Sequence, residues 1–428
     1  MRRVLYIAYL YPPIANSGTR RSLSFVNHLP DHGWQPTVLT VANPEERVCD
    51  LSLLSEIREG TQVERAPMAS AAVANRLAAW CVPQSRRTAV AAALEWRLER
   101  VFQAPDEVAA WYPLAVQRGL ALHRKQPFDL ICASGWPWTS FLVARALSLK
   151  TGCPYVLDYR DTWRPSGTHE WEVQTRLQAL LNPRLERLAA RRAAAVVTVT
   201  PSLVDVIRRD AGLAQVHCIT NGFEPDDFSS NSALPGQAED GVHVSYTGVW
   251  RPGYGLEDLY RAIAQLKLAG SRHIGRLRVS AAGFKPGPAQ AFGVDDVVQE
   301  LGPVPHERAL SLMTSSQALY LPVPLGYYAK ASLPGKLFEY LGSGRPILAV
   351  VPADSEVAKV VSSVGGALRV DPGDIAGLAT VLEALCQGNA DGLFPLRQPE
   401  QLKRYTRAET ARDLAAVFDR ARSTTNQG

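Results

Sequence analysis

The sequence predicts an α/β protein built from two doubly wound domains. At 428 residues it exceeds what a single hydrophobic core usually organises. Short apolar runs of strand length alternate with stretches of helical periodicity along the whole chain. The alternation restarts near Thr200, which divides the chain into two units of similar size. Strands that are apolar throughout suit a parallel sheet covered by helices on both faces.

The first set of strands reads as Val4–Leu10, Thr37–Val41, Gln62–Ala66, Asp129–Ser134, Tyr155–Asp158 and Ala195–Thr200. Helical stretches fall at Ser22–His32, Thr139–Lys150 and Trp171–Arg192. His217–Thr220 then runs into the turn signal Asn221-Gly222-Phe223, and a polar loop follows at Ser229–Asp240. The second set is Val242–Tyr246, Leu277–Ala281, Ala318–Val323, Ile347–Val351 and Ala367–Val370. Pro399–Ala421 is a charged amphipathic helical region. The expected domains are 1–205 and 206–403, with a terminal helix over 404–422 packing back on the first. Two such domains would place strand ends and helix starts around a central cleft.

Composition narrows the class. The chain is 46% hydrophobic and 20% charged, ordinary for a globular enzyme. No apolar run reaches the roughly 18 residues of a membrane span. Arg2-Arg3 before an apolar run imitates a leader, but Pro12-Pro13 follow at once, so the run reads as a buried first strand. The 6 cysteines lack any C-x-x-C spacing, a cytoplasmic pattern. His28 and His32 share a helix face but have no third ligand nearby, and no Asp-x-Asp pair occurs, so no metal and no other cofactor is expected. The net charge of +5 fits an anionic substrate or a membrane surface and does not point to nucleic acid.

The segment Leu333-Pro334-Gly335-Lys336-Leu337-Phe338-Glu339-Tyr340 carries the most chemistry. Pro-Gly opens a helix and leaves its first N–H groups free, a ready anion site. Lys336 adds a cation where the helix dipole disfavours one, which suggests an anion between them. Glu339, about one turn on, is placed to accept bonds from sugar hydroxyls. The chemistry alone also allows an ordinary helix with a solvated lysine and glutamate.

Other landmarks stand around it. They are Tyr11-Pro12-Pro13-Ile14-Ala15-Asn16-Ser17-Gly18-Thr19, Pro105-Asp106, Ala133-Ser134-Gly135-Trp136-Pro137-Trp138 and Asp158-Tyr159-Arg160-Asp161-Thr162-Trp163, followed by Ser245-Tyr246-Thr247-Gly248-Val249-Trp250-Arg251. In this order and spacing they resemble the retaining GT-B glycosyltransferases of the GT4 type, over nearly the whole chain. The Asp-x-Arg-Asp-x-Trp block and the Lys-x-x-Glu-Tyr helix look like the subgroup that builds bacterial surface polysaccharides.

The resemblance implies a nucleoside-diphosphate sugar donor and a glycan or lipid-linked acceptor, with hexosyl transfer (EC 2.4 class) as the activity. It implies Arg251 and Lys336 as the clamp on the leaving diphosphate, with Gly248 in the binding loop and Lys330 a third cation within reach. Glu339 would hold the ribose, and Ser332, Gly335 and Leu337 complete the donor set. Gly18 and Thr19 open the first helix against substrate. Asp158, Arg160 and Asp161 end a buried strand, where they either orient the acceptor and act as base, or pair as structural glue. The sequence departs from the family at Ala331, where a sugar-binding glutamate often stands. Basic, tryptophan-bearing helices at 73–102, and Arg184, Arg187, Arg191 and Arg192, suit either contact with the inner membrane face or an ordinary solvated helix face with core tryptophans. The rival readings are a nucleotide-sugar 2-epimerase of the same fold and a non-catalytic nucleotide-sugar-binding module.

Overall fold

The computed structural model describes residues 1–42, 48–69, 90, 104–164, 175–213, 215–229, 241–250, 253, 255–323, 330–389 and 392–425. They form two compact units, 1–220 with 407–428, and 221–406.

The first unit holds a seven-stranded parallel sheet. Its strands are β1 (Arg2–Ala8), β2 (Trp34–Val41), β3 (Gln62–Ala66), β4 (Leu130–Gly135), β5 (Tyr155–Tyr159), β6 (Ala195–Thr198) and β7 (His217–Cys218), in the spatial order β3-β2-β1-β4-β5-β6-β7. β4 and β5 are buried along their whole length, which explains their mostly apolar sequences, with the polar Ser134 and Asp158 near their C-terminal ends. The helices are α1 (Ser17–His28), α2 (Tyr112–Lys125), α3 (Thr139–Thr151), α4 (Arg176–Ala190) and α5 (Pro201–Ala211).

α1 starts five residues before the expected Ser22, because the Asn16 side chain caps it through the Gly18 N–H (2.9 Å). α3 has no cap of its own; buried Asp106 serves it from a distance, accepting from the Thr139 N–H (2.9 Å) and hydroxyl (2.7 Å).

The second unit repeats the plan with β8 (Val242–Thr247), β9 (Leu277–Ala282), β10 (Val298–Gly302), β11 (Ala318–Pro322), β12 (Ile347–Val350) and β13 (Ala367–Val370). The order is β10-β9-β8-β11-β12-β13, again all parallel. Its longer helices are α6 (Leu256–Leu268), α7 (His306–Ser315), α8 (Gly335–Gly342), α9 (Glu356–Val364) and α10 (Ile375–Cys386). Both sheets run outward from a reversal of strand order, β1 beside β4 and β8 beside β11. In doubly wound sheets, ligands bind beyond the strand C-termini at this reversal.

The expected boundary at 205/206 is corrected to 220/221. It would have cut α5, which Thr200 caps, and removed β7, which pairs with β6. The last helix, α11 (Arg407–Thr425), belongs to the first unit from residue 407 rather than 404. Phe418 packs edge-on against Trp34 (5.3 Å), and Asp419 accepts from the Trp34 indole (2.9 Å).

Candidate active site

In the second unit, β8 ends at Thr247 and the chain turns at Gly248, whose φ is +139°. A Cβ on Gly248 would stand 2.6 Å from Lys336 Nζ, so glycine makes room for the ammonium. A Cβ on Gly283, just past β9, would stand 2.6 Å from the Gly248 carbonyl oxygen. Two strand-end loops thus press backbone to backbone, and the Gly248 N–H donates to the Ala282 carbonyl (2.9 Å).

α8 is fixed over this turn by Tyr340. Its buried hydroxyl accepts from the Thr247 N–H at 2.9 Å. Tyr340 and Lys336 are four residues apart and share a helix face. Lys336 Nζ therefore lies over the Tyr246 ring, 4.1 Å from its centre. Among the described residues no carboxylate lies within 4.0 Å of this ammonium. Burial pushes it down to about 7, with the nearby Glu339 charge opposing the shift. Pro334 precedes the helix without a side-chain cap, and nothing lies within 4 Å of the position a Cβ would take at Gly335. An uncapped helix start, whose Leu337 N–H turns back to the Pro334 carbonyl (3.0 Å), and a half-buried cation with no carboxylate within 4.0 Å among the described residues are together suited to an anion.

The other end of α8 is held by Arg397, whose guanidinium donates to the carbonyls of Leu341 (2.7 Å) and Arg345. A cation there suits the negative pole of the helix.

The remaining donor-side expectations are placed as follows. Glu339 and Ser332 are half-buried, while Leu337 and Ala331 are buried. Lys330 forms an ion pair with Asp354, both more than half exposed. Arg251 lies outside the described residues, as does most of the basic stretch at 73–102. Tyr246, Tyr340 and Gly283 were missed by sequence reasoning. The i, i+4 spacing of Lys336 and Tyr340 was the one available signal.

In the first unit, Arg160 follows β5 and reaches back to the β4 exit. Its Nε donates to the Gly135 carbonyl (3.1 Å) and its Nη2 to that of Trp136. A Cβ at Gly18 would stand 1.4 Å from Arg160 Nη1, so Gly18 is there to admit this guanidinium. Gly18 and Arg160 are thereby brought together. Thr19 is fully buried, and its hydroxyl makes no hydrogen bond.

Asp158 is placed in the core. It is 0% exposed and lies in a buried ion pair with Arg21 (2.9 Å), a geometry that favours the structural of the two roles the sequence leaves open. The Ser134 hydroxyl donates to it as well, at 3.2 Å. Its partner is Arg21 from α1, not the neighbouring Arg160. Asp161 is half-buried and acts electrostatically on Arg160. Among the described residues no three His, Cys, Asp or Glu side chains cluster as a metal site.

Gly248→Ala is expected to displace the Lys336 ammonium and strain the turn. Nucleoside diphosphate affinity should fall at least ~10-fold, with an unfolding cost of about 1–3 kcal/mol. Titration calorimetry and a melting curve on the same sample check it, and an unchanged affinity would remove Gly248 from the site.

Residues 18–222 match the model of the glycosyl transferase 4-like domain. A 2-deoxystreptamine glucosyltransferase from Streptomyces kanamyceticus is 26% identical over 310 residues, 67% of this chain and 76% of that protein. Among solved structures, a UDP-forming α,α-trehalose-phosphate synthase from Burkholderia xenovorans superposes with a TM-score of 0.60 at 11% identity, covering 98% of this chain and 100% of that one. A putative UDP-N-acetylglucosamine 2-epimerase from Listeria monocytogenes superposes at 0.55, with 11% identity and coverage of 100% and 97%.

Two Rossmann-like parallel sheets together with these superpositions define the GT-B fold. The domain match over residues 18–222 and the glucosyltransferase relative, which covers 67% of the chain, make this chain similar to glycosyltransferases of the GT4 type.

Proposed function

We propose that the enzyme transfers a hexosyl group, with retention, from a nucleoside-diphosphate sugar to a glycan or lipid-linked acceptor in the assembly of a cell-surface glycan. It would work in the cytoplasm, at the inner membrane face. The observation that carries the donor assignment is Lys336, a half-buried ammonium with no carboxylate within 4.0 Å among the described residues, at an uncapped helix start.

In this reading the bond between the anomeric carbon and the diphosphate oxygen breaks, and negative charge grows on the leaving phosphate. Lys336 and the first N–H groups of α8 stabilise that charge. The acceptor oxygen bonds to the anomeric carbon on the same face, and its proton passes to the departing phosphate. The step needs no protein nucleophile. Glu339 is suited to accept from the ribose hydroxyls. The Streptomyces relative's name favours a second acceptor class, an aminocyclitol.

A thermal-shift screen of UDP-, GDP-, ADP- and dTDP-sugars tests the donor assignment, since a ligand that binds the native state raises its melting temperature. The best donor is then incubated with lipid-linked, glycan and aminocyclitol acceptors, and free nucleoside diphosphate is measured. Acceptor-dependent release with retained anomeric configuration is expected. Epimerised donor without release would establish the epimerase instead. Donor binding with neither reaction would establish the binding module.

A further inference from the structure

We infer that the solvent face of α4 is a docking surface for an anionic lipid bilayer, a proposal that rests on the membrane-side part of the reading above. α4 is amphipathic in an unusual sense. Its inner side is polar as well as apolar: Asn182 and Glu186 are buried there, and Glu186 is paired with Arg164 (3.1 Å). Its outer side carries leucines. Leu177, Leu180 and Leu188 are 49%, 60% and 44% exposed.

At about 100° per residue, these three together with Arg184 and Arg191 fall within roughly 80° of the helix circumference. Arg187 borders the same stripe. All three arginines are exposed, and none forms an ion pair among the described residues. Glu186 is the one acidic residue in the helix, and it lies on the opposite, buried side. The exposed face is therefore leucine and arginine with no carboxylate of its own.

A single exposed leucine is ordinary, but three in one stripe whose charged neighbours on the helix are, among the described residues, all guanidinium groups are not. A second copy of the chain is a poor occupant, because a two-fold contact would set arginine against arginine. An anionic bilayer satisfies both components, with phosphates meeting the guanidiniums and the interfacial zone taking the leucines. This face lies on the helix between β5 and β6, away from Lys336 and α8 in the sequence. It would hold the first unit against the surface in which a lipid-linked acceptor resides.

Flotation of the full chain tests this, with vesicles of phosphatidylcholine alone or mixed with phosphatidylglycerol. The protein is expected to rise with the anionic vesicles at low salt, to stay down with the neutral ones, and to be released as salt is raised. The triple variant Arg184→Glu/Arg187→Glu/Arg191→Glu should partition more than ~100-fold less, at ~5-fold or more per arginine. Leu177→Asn/Leu180→Asn, which alters only exposed positions, should lose partitioning severalfold. Both variants should keep the donor-induced thermal shift, so that failure here is separate from failure of the donor assignment. The proposal is overturned if the wild-type chain ignores anionic vesicles, or if the variants float as it does. It is also overturned if light scattering without lipid shows an assembly that the arginine variant abolishes, which would make the face a self-association surface.

Discussion

Lys336→Ala is expected to weaken nucleoside diphosphate binding by roughly 2–5 kcal/mol, on the order of 30- to several thousand-fold. Nucleoside binding should change less than about threefold, because the lost cation faces the phosphates alone. Calorimetry with the diphosphate and the nucleoside, side by side, separates the two. Equal losses, or none, would remove Lys336 from the clamp.

The protonation state adds a second readout. The ammonium is pushed down to about 7 by burial. A bound diphosphate favours the charged form and raises it again, so binding above pH 7 takes up a proton. Nucleotide-sugar affinity should be flat below about pH 7 and fall by up to about tenfold per unit above it. Lys336→Met should abolish that slope.

The same substitution should stabilise the ligand-free protein. A lysine in the unfolded chain titrates at 10.5, against about 7 here. Below pH 7 both states carry the charge, and the folded state bears the whole desolvation penalty. Between about 7 and 10.5 the folded protein sheds its proton first, so the penalty fades with rising pH. The gain in melting temperature of Lys336→Met over wild type should therefore be largest near pH 6 and vanish only above the unfolded value of 10.5.

The sequence revealed the frame more fully than the contacts. Strands such as β4 and β5 are legible because burial on both faces leaves a mostly apolar run, broken only near the C-terminal ends by Ser134 and Asp158. β10 was missed, because this edge strand buries only Val298 and Gly302 and carries exposed Gln299 between them. The anion character of α8 could be read from Pro-Gly-Lys, since capping and dipole effects are local. Its setting could not. Tyr246 lies under Lys336 from a strand 90 positions earlier, and the two meet only when β8 and α8 come together. Gly18 was read as an approach point for substrate, and the structure seats Arg160 there instead, across 142 positions of sequence.

Asp158→Asn is expected to cost about 3–5 kcal/mol of stability, or a melting temperature lower by about 6–20 °C. The sequence left two roles open for this aspartate, acceptor base and structural glue, and the two predict opposite results. Asp158 accepts from Arg21 Nε through both carboxylate oxygens (3.1 Å each) and from Nη2 at 2.9 Å. The same guanidinium donates to the carbonyls of Ile219 (2.9 Å) and Thr220 (3.0 Å). One buried pair therefore ties α1, β5 and the segment after β7 together at the end of the first unit. Removing either charge leaves the other buried and uncompensated, so Arg21→Leu should cost a similar amount. The double variant Arg21→Leu/Asp158→Leu should recover part of the loss, because replacing both charges spares the desolvation of each. It should not recover all of it, since the buried Ile219 carbonyl and the half-buried Thr220 carbonyl lose their donor. An acceptor base would behave otherwise: Asp158→Asn would leave the melting curve in place and remove transfer by several orders of magnitude at saturating donor. Denaturation and turnover measured on the same three variants decide between the roles.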